Sequence, residues 1–193
     1  MAKRILLAGI LGGIALFLWG GLSHMALGLG EIGVQALPQQ QSTVDAMKAS
    51  IAKSGFYFFP HGDTSRNLTP AEANGPWGIL IYHPTGASFA MSHLLVNECI
   101  LNIVQALLAA FLLSLATGLG GYVSRVGFVA ALGLLATIGI SIEYWNWYGF
   151  PANYTAATVA DKFVGFLIVG LVAAALIRPA PARIEAVVTA KAA

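Results

Sequence analysis

Of the 193 residues, 58% are hydrophobic and only 9% charged, and the mean hydropathy is +0.77; soluble domains carry roughly 25% charged residues, so a water-soluble globule is excluded and the chain belongs in lipid. The net charge of +2 is small and the basic residues are scattered. No stripe can neutralise a row of phosphates, which excludes nucleic acid as a partner, and the lone Cys99 excludes an intrachain disulfide or a multi-cysteine metal centre and reads as a buried thiol.

Met1-Ala2-Lys3-Arg4 leads into an apolar run from Ile5 to Leu29. The run is too long for a cleaved signal, and cleavage after Ala26 would put His24 where a small residue is required. At about 1.5 Å per residue it reaches ~37 Å, enough to cross a hydrocarbon core of ~30 Å with some tilt. Residues 1–30 are therefore expected to form transmembrane helix 1, retained as a signal anchor. Gly9 and Gly13 form a GxxxG pair, which lets another helix approach closely, within the molecule or in a dimer.

Residues 31–92 are expected to fold as a cap. Ser42 and Asp45 resemble a capping box ahead of Val44, Met47 and Ile51, which share one helical face, with Gly55 as the stop. Phe56 to Phe59 and Gly78 to Tyr82 then read as short strands, separated by a polar segment with His61, Asp63, Arg66 and Asn67. A unit of this size is marginal alone and is expected to share apolar surface with the membrane helices.

Residues 93–178 hold three further spans: Asn97 to Gly118, Val126 to about Trp145, and about Ala157 to Ile177. Gly118, Gly120 and Gly121 break the second, Pro151 ends the third, and Pro179 and Pro181 stop the fourth ahead of a tail over 179–193. The expected fold class is an all-α membrane protein, a four-transmembrane-helix bundle with a small extracytoplasmic α+β cap between helices 1 and 2. Lys3, Arg4, Arg125 (in the turn after the second span), Arg178, Arg183 and Lys191 all fall on one side. The positive-inside rule makes that side cytoplasmic, with both termini there and the cap outside, in a bacterial inner (plasma) membrane. The aromatic turn around Trp145, Trp147, Tyr148 and Phe150 suits the outer interface.

Polar residues concentrate toward that outer end. Glu98, Asn102 and Gln105 recur at i, i+4 and i+7, one helical face reaching ~10 Å inward. His24 and Glu31 lie on the first span, His93 opens the second, Glu143 and Asn146 end the third, and Asp161 and Lys162 lie near the start of the fourth. Ionisable groups in a membrane are costly and normally face a cavity, a partner or the interface. His24, Glu31, His93, Glu98, Asn102, Gln105, Glu143 and Asn146 therefore form the candidate polar pocket, with Glu98 at its mouth expected to be the most consequential carboxylate.

Three chemistries suit such a pocket. His24, Glu98 and Glu143 offer imidazole and carboxylate to a divalent metal. His24 and His93 offer axial ligands to a haem. A carboxylate–histidine pair can also exchange protons with a quinol-like substrate. Against these stands a plainer reading, in which the charged groups reach headgroups and Asn102 and Gln105 hydrogen-bond between helices. His61 and His83 have no metal-ligand spacing, and Asn67-Leu68-Thr69 and Asn153-Tyr154-Thr155 are glycosylation sequons of low specificity. No phosphate loop, nucleophile elbow or HExxH motif is present, so common hydrolase and nucleotide-driven mechanisms lack support. The expected function is a non-enzymatic accessory or scaffold protein that contacts the lipid bilayer and a membrane-protein partner or second copy. The alternative is a metal-, haem- or quinol-linked redox protein at the outer face. A channel is disfavoured, because the inner halves of the spans offer little beyond Ser114, Thr117 and Thr137 to line a route.

Overall fold

The computed structural model describes residues 1–60, 68–85 and 90–178. Helix α1 covers Ala2–Gly21 and runs on through a π-helical turn at Leu22–Ala26, followed by a short 3-10 turn at Leu29–Glu31. The cap contributes α2 (Gln40–Ser50), β1 (Gly55–Phe59), α3 (Pro70–Ala73) and β2 (Gly78–Tyr82). Next come α4 (Met91–Leu115) and α5 (Tyr122–Thr137), the latter continued by a second π turn at Ile138–Ile142 into α6 (Glu143–Tyr148). The last helix is α7 (Ala152–Leu176). Four segments, Ala2–Ala26, Met91–Leu115, Tyr122–Tyr148 and Ala152–Leu176, are long and apolar enough to cross a membrane.

Three of the helices begin ahead of the spans read from hydropathy, α4 at Met91, α5 at Tyr122 and α7 at Ala152, since helical hydrogen bonding continues where apolar character fades. The fourth starts at Ala152, directly after Pro151 as N-cap, rather than near Ala157. Gly149, at φ +66°, ends α6 in the left-handed conformation that glycine adopts without steric cost. The second span closes at Leu115, short of Gly118.

Helix α1 packs between α4 and α7, and α5 packs on α7, whereas α4 touches α5 and α7 little. Lipid removes most of the hydrophobic drive between helices, so association rests on close approach and van der Waals contact. Small residues supply that approach. A Cβ on Gly9 would run into Leu107 and one on Gly13 into the backbone of Ile103, which makes the GxxxG pair an α1–α4 contact within the molecule. A Cβ at Gly12 would stand 3.4 Å from both Ala106 and Val169, where α1, α4 and α7 meet. Ala8, Ala109, Ala110 and Ala173 complete a core of short side chains.

Arg125 lies not in a free turn but in the first turns of α5, 8% exposed. Its Nη2 donates to the carbonyl of Ala174 at 3.1 Å and its Nη1 to that of Gly120 at 3.4 Å. Ala174 is among the last residues of α7, whose carbonyls lack helical partners, so the guanidinium caps that end and opposes its partial negative charge. Tyr122 adds a bond from its hydroxyl to the carbonyl of Leu171 at 2.9 Å.

In the cap, β1 and β2 pair antiparallel with Phe56 opposite Ile81 and Phe58 opposite Ile79. Val44, Met47 and Ile51 are the half-buried side of α2, as their spacing predicts, but the expected cap is absent. The chain enters α2 at Gln39, and the Ser42 hydroxyl donates to the carbonyl of Gln39 from inside the helix. Gly55 starts β1 rather than stopping α2. The capping box of this region is Thr69 with Glu72 on α3. Contact with the bundle is aromatic: Phe56 meets Tyr148 edge-on at 5.9 Å, and Trp77 covers Gly149. His61, Asp63, Arg66 and Asn67, with Pro179, Pro181, Arg183 and Lys191, lie outside the described residues.

Candidate functional site

At the end of the bundle away from Arg125, α1, α4 and α7 diverge around a cleft of about 550 Å³. The π turn of α1 shapes its upper wall. An extra residue in the turn widens the helix, a distortion that recurs at functional sites. It turns Ser23 inward, fully buried, and its hydroxyl donates to the Gly20 carbonyl at 3.1 Å. His24 Nδ1 lies 2.9 Å from Ser23 Oγ and 3.1 Å from that same carbonyl. The imidazole rests on Gly30, where any Cβ would strike the ring. The chain returns over His24 through Gly28, at φ +65°.

Phe17, Trp19 and Met25 from α1 and Leu95 from α4 make the cleft mainly apolar. Its polar groups are His24, Glu98, Asn102, Asp161 and Lys162. Asn102 is 2% exposed and accepts a bond from Gln105 Nε2 at 3.4 Å. Asp161 is 6% exposed, and its Oδ1 is buried with no hydrogen-bond partner among the described residues. His24, Asp161 and Lys162 also line a second recess of about 220 Å³, bounded by Gly30, Tyr154 and Thr158. Those three side chains thus stand between a larger apolar cleft and a smaller, more polar one.

The expected pocket is only partly assembled. His24, Glu98 and Asn102 share the cleft, and Gln105 supports it from one turn deeper. Glu31, His93, Glu143 and Asn146 are exposed and do not line it. Among the described residues, no three His, Cys, Asp or Glu side chains converge to hold a metal ion, so His24, Glu98 and Glu143 are not gathered as ligands. His93 likewise lies off the cleft that His24 faces. Cys99 is half-buried.

Asp161 is not among the pocket residues expected from the sequence, because a span beginning near Ala157 puts it beside the headgroups. With α7 starting at Ala152 it sits roughly 13 Å into the helix. The available signal was Pro151, a favoured residue just ahead of a helix. The chain matches no protein-family model, no curated protein and no solved structure.

Proposed function

We propose that this is a small non-enzymatic accessory or scaffold protein of a bacterial inner (plasma) membrane, with its termini cytoplasmic and a polar pocket facing outward that holds an amphipathic molecule. One observation carries the reading: the buried, unpartnered Oδ1 of Asp161 on an apolar-walled cleft. Burying a polar oxygen without a donor costs about 1–3 kcal/mol, and a charged one more. A ligand head bearing an ammonium or hydroxyl group supplies the missing donor, while its apolar body lies against Phe17, Trp19 and Leu95. The volume of about 550 Å³ falls within the range of ligand pockets, roughly 300–1,000 Å³. The orientation is supported by Arg125 and Arg178, which share one end of the bundle, opposite the cleft.

A quinol-linked redox role is the second reading, favoured by one feature: His24 and Glu98, two groups able to exchange protons, sit on the same apolar cleft. Mass spectrometry of organic extracts from the detergent-purified protein, with its visible spectrum, tests both. A colourless protein carrying a stoichiometric amphiphile that Asp161→Leu abolishes supports the accessory reading. A bound quinone, a Soret band or stoichiometric metal overturns it in favour of the redox one.

A further inference from the structure

At the opposite end of the molecule the N-terminal turn of α1, the α4–α5 turn and the end of α7 enclose a separate pocket of about 130 Å³. Arg125 and Arg178 both line it, Thr117 adds a hydroxyl, and among the described residues no carboxylate does. Arg125 is more than nine-tenths buried and spends Nη1 and Nη2 on the Gly120 and Ala174 carbonyls. Its Nε is buried with no partner among the described residues. A guanidinium is always charged and costly to bury with a donor unmet, so an acceptor is missing there.

Helix dipoles do not decide the sign of that acceptor. Two helix N-termini, of α1 and α5, and two C-termini, of α4 and α7, meet at this end, and their partial charges largely cancel. The two guanidinium groups therefore dominate and select an anion. The planar fork of Arg178 together with the Nε of Arg125 favours an oxyanion that accepts several bonds at once, phosphate above all. The volume equals about four waters at ~30 Å³ each, room for one phosphoryl group but no large head. Leu113 and Ile177 make its wall apolar, and the adjoining flanks at Leu115, Tyr122 and Val123 are exposed. Acyl chains can lie along those flanks while the phosphoryl group enters the pocket.

We propose that the Arg125–Arg178 pocket is a phosphate site occupied by the phosphoryl group of an anionic membrane lipid. The proposal is independent of the cleft at the other end. Full-length protein in phosphatidylcholine nanodiscs, with and without phosphatidylglycerol, is released and examined by native mass spectrometry. Selective retention of one phosphatidylglycerol is expected. Arg178 is exposed, so Arg178→Gln is expected to fold with unchanged melting in phosphatidylcholine yet to weaken that retention about tenfold, the scale of one charge-assisted bond. Arg125→Gln removes the Ala174 cap as well and serves only as a second variant. Displacement of the lipid by inorganic phosphate supports phosphoryl recognition. Equal retention of the two lipids, or an Arg178→Gln protein that retains phosphatidylglycerol like the parent, overturns the proposal. Inorganic phosphate binding without lipid selection assigns the site to free phosphate and overturns the lipid occupant.

Discussion

The indole nitrogen of Trp19 donates to the main-chain carbonyl of Asp161 at 3.1 Å, tying α1 to α7 directly beside the buried carboxylate. Gly165 makes room for this contact, since a Cβ there would press on Leu16 and stand 3.3 Å from Trp19 Cδ1. Trp19→Phe keeps an aromatic wall and loses the bond, so a cost of about 1 kcal/mol is expected. Gly165→Val should push α1 off α7 and cost roughly 1–3 kcal/mol. Thermal melting of the purified protein measures both, and melting curves identical to the parent would show that the contact holds nothing together.

Glycines on the helices separate into two kinds, and mutation should separate them the same way. Gly13 lies against the Ile103 backbone, which cannot swing aside, whereas nothing stands within 4 Å of a Cβ on Gly127. Gly13→Ala is expected to destabilise by about 1–3 kcal/mol. Gly127→Ala should be neutral or stabilising by up to about 1 kcal/mol through helix propensity. If Gly13→Ala instead leaves stability intact and changes only oligomeric state, α1 packs on another copy rather than on α4.

These contrasts mark what the sequence could and could not disclose. Gly78–Tyr82 and Phe56–Phe59 were legible because apolar runs bounded by turn residues have few alternatives, and both strands are present. The four helices long and apolar enough to cross a membrane were legible from length and hydropathy alone. Their neighbours were not: each helix is apolar nearly all round, so no stripe announces that α1 lies between α4 and α7. The π turn that shapes the wall at Ser23 and His24 has no sequence signal, and the depth of Asp161 depends on where α7 begins, five residues ahead of the apolar stretch from Ala157. The phase of Glu98, Asn102 and Gln105 correctly put Asn102 inside, yet Glu143 and His93 could not be placed by period alone.

The α3 cap should respond to acid. Two hydrogen bonds from Thr69, side chain first and backbone second, hold the Glu72 carboxyl below its ordinary value of 4.5. A depressed folded value means the carboxylate supports the folded turn above that ordinary value and loses the support as pH falls through the lower one. Amide exchange across Pro70–Ala73 is therefore expected to accelerate as pH drops below 4.5, after correction for intrinsic rates. Glu72→Gln keeps the box geometry without the charge and should flatten the response. A parent that behaves like Glu72→Gln would mean that the ionised form contributes nothing.

Orientation is testable at positions the helices expose. In a Cys99→Ala background, Asn146→Cys on α6 should react with an impermeant maleimide on intact cells, and Gly118→Cys in the α4–α5 turn should react only after lysis. The reverse pattern would invert the molecule and place the cleft on the cytoplasmic side.

The two carboxylates of the cleft should behave in opposite ways. Glu98 is exposed at its mouth, whereas Asp161 is buried with Oδ1 unpartnered. Removing an exposed charge by Glu98→Gln should leave stability within about 0.5 kcal/mol of the parent. Asp161→Leu replaces an unsatisfied buried oxygen by apolar atoms of similar bulk and so relieves a desolvation penalty of about 1–3 kcal/mol. A ligand-free Asp161→Leu protein that melts above its ligand-free parent is therefore expected, together with loss of the co-purifying amphiphile. That combination identifies a group kept for binding at the expense of the fold. A fall in melting temperature with the amphiphile retained would instead make Asp161 a structural member of the α1–α7 contact, and the ligand head would then have to be sought at Glu98.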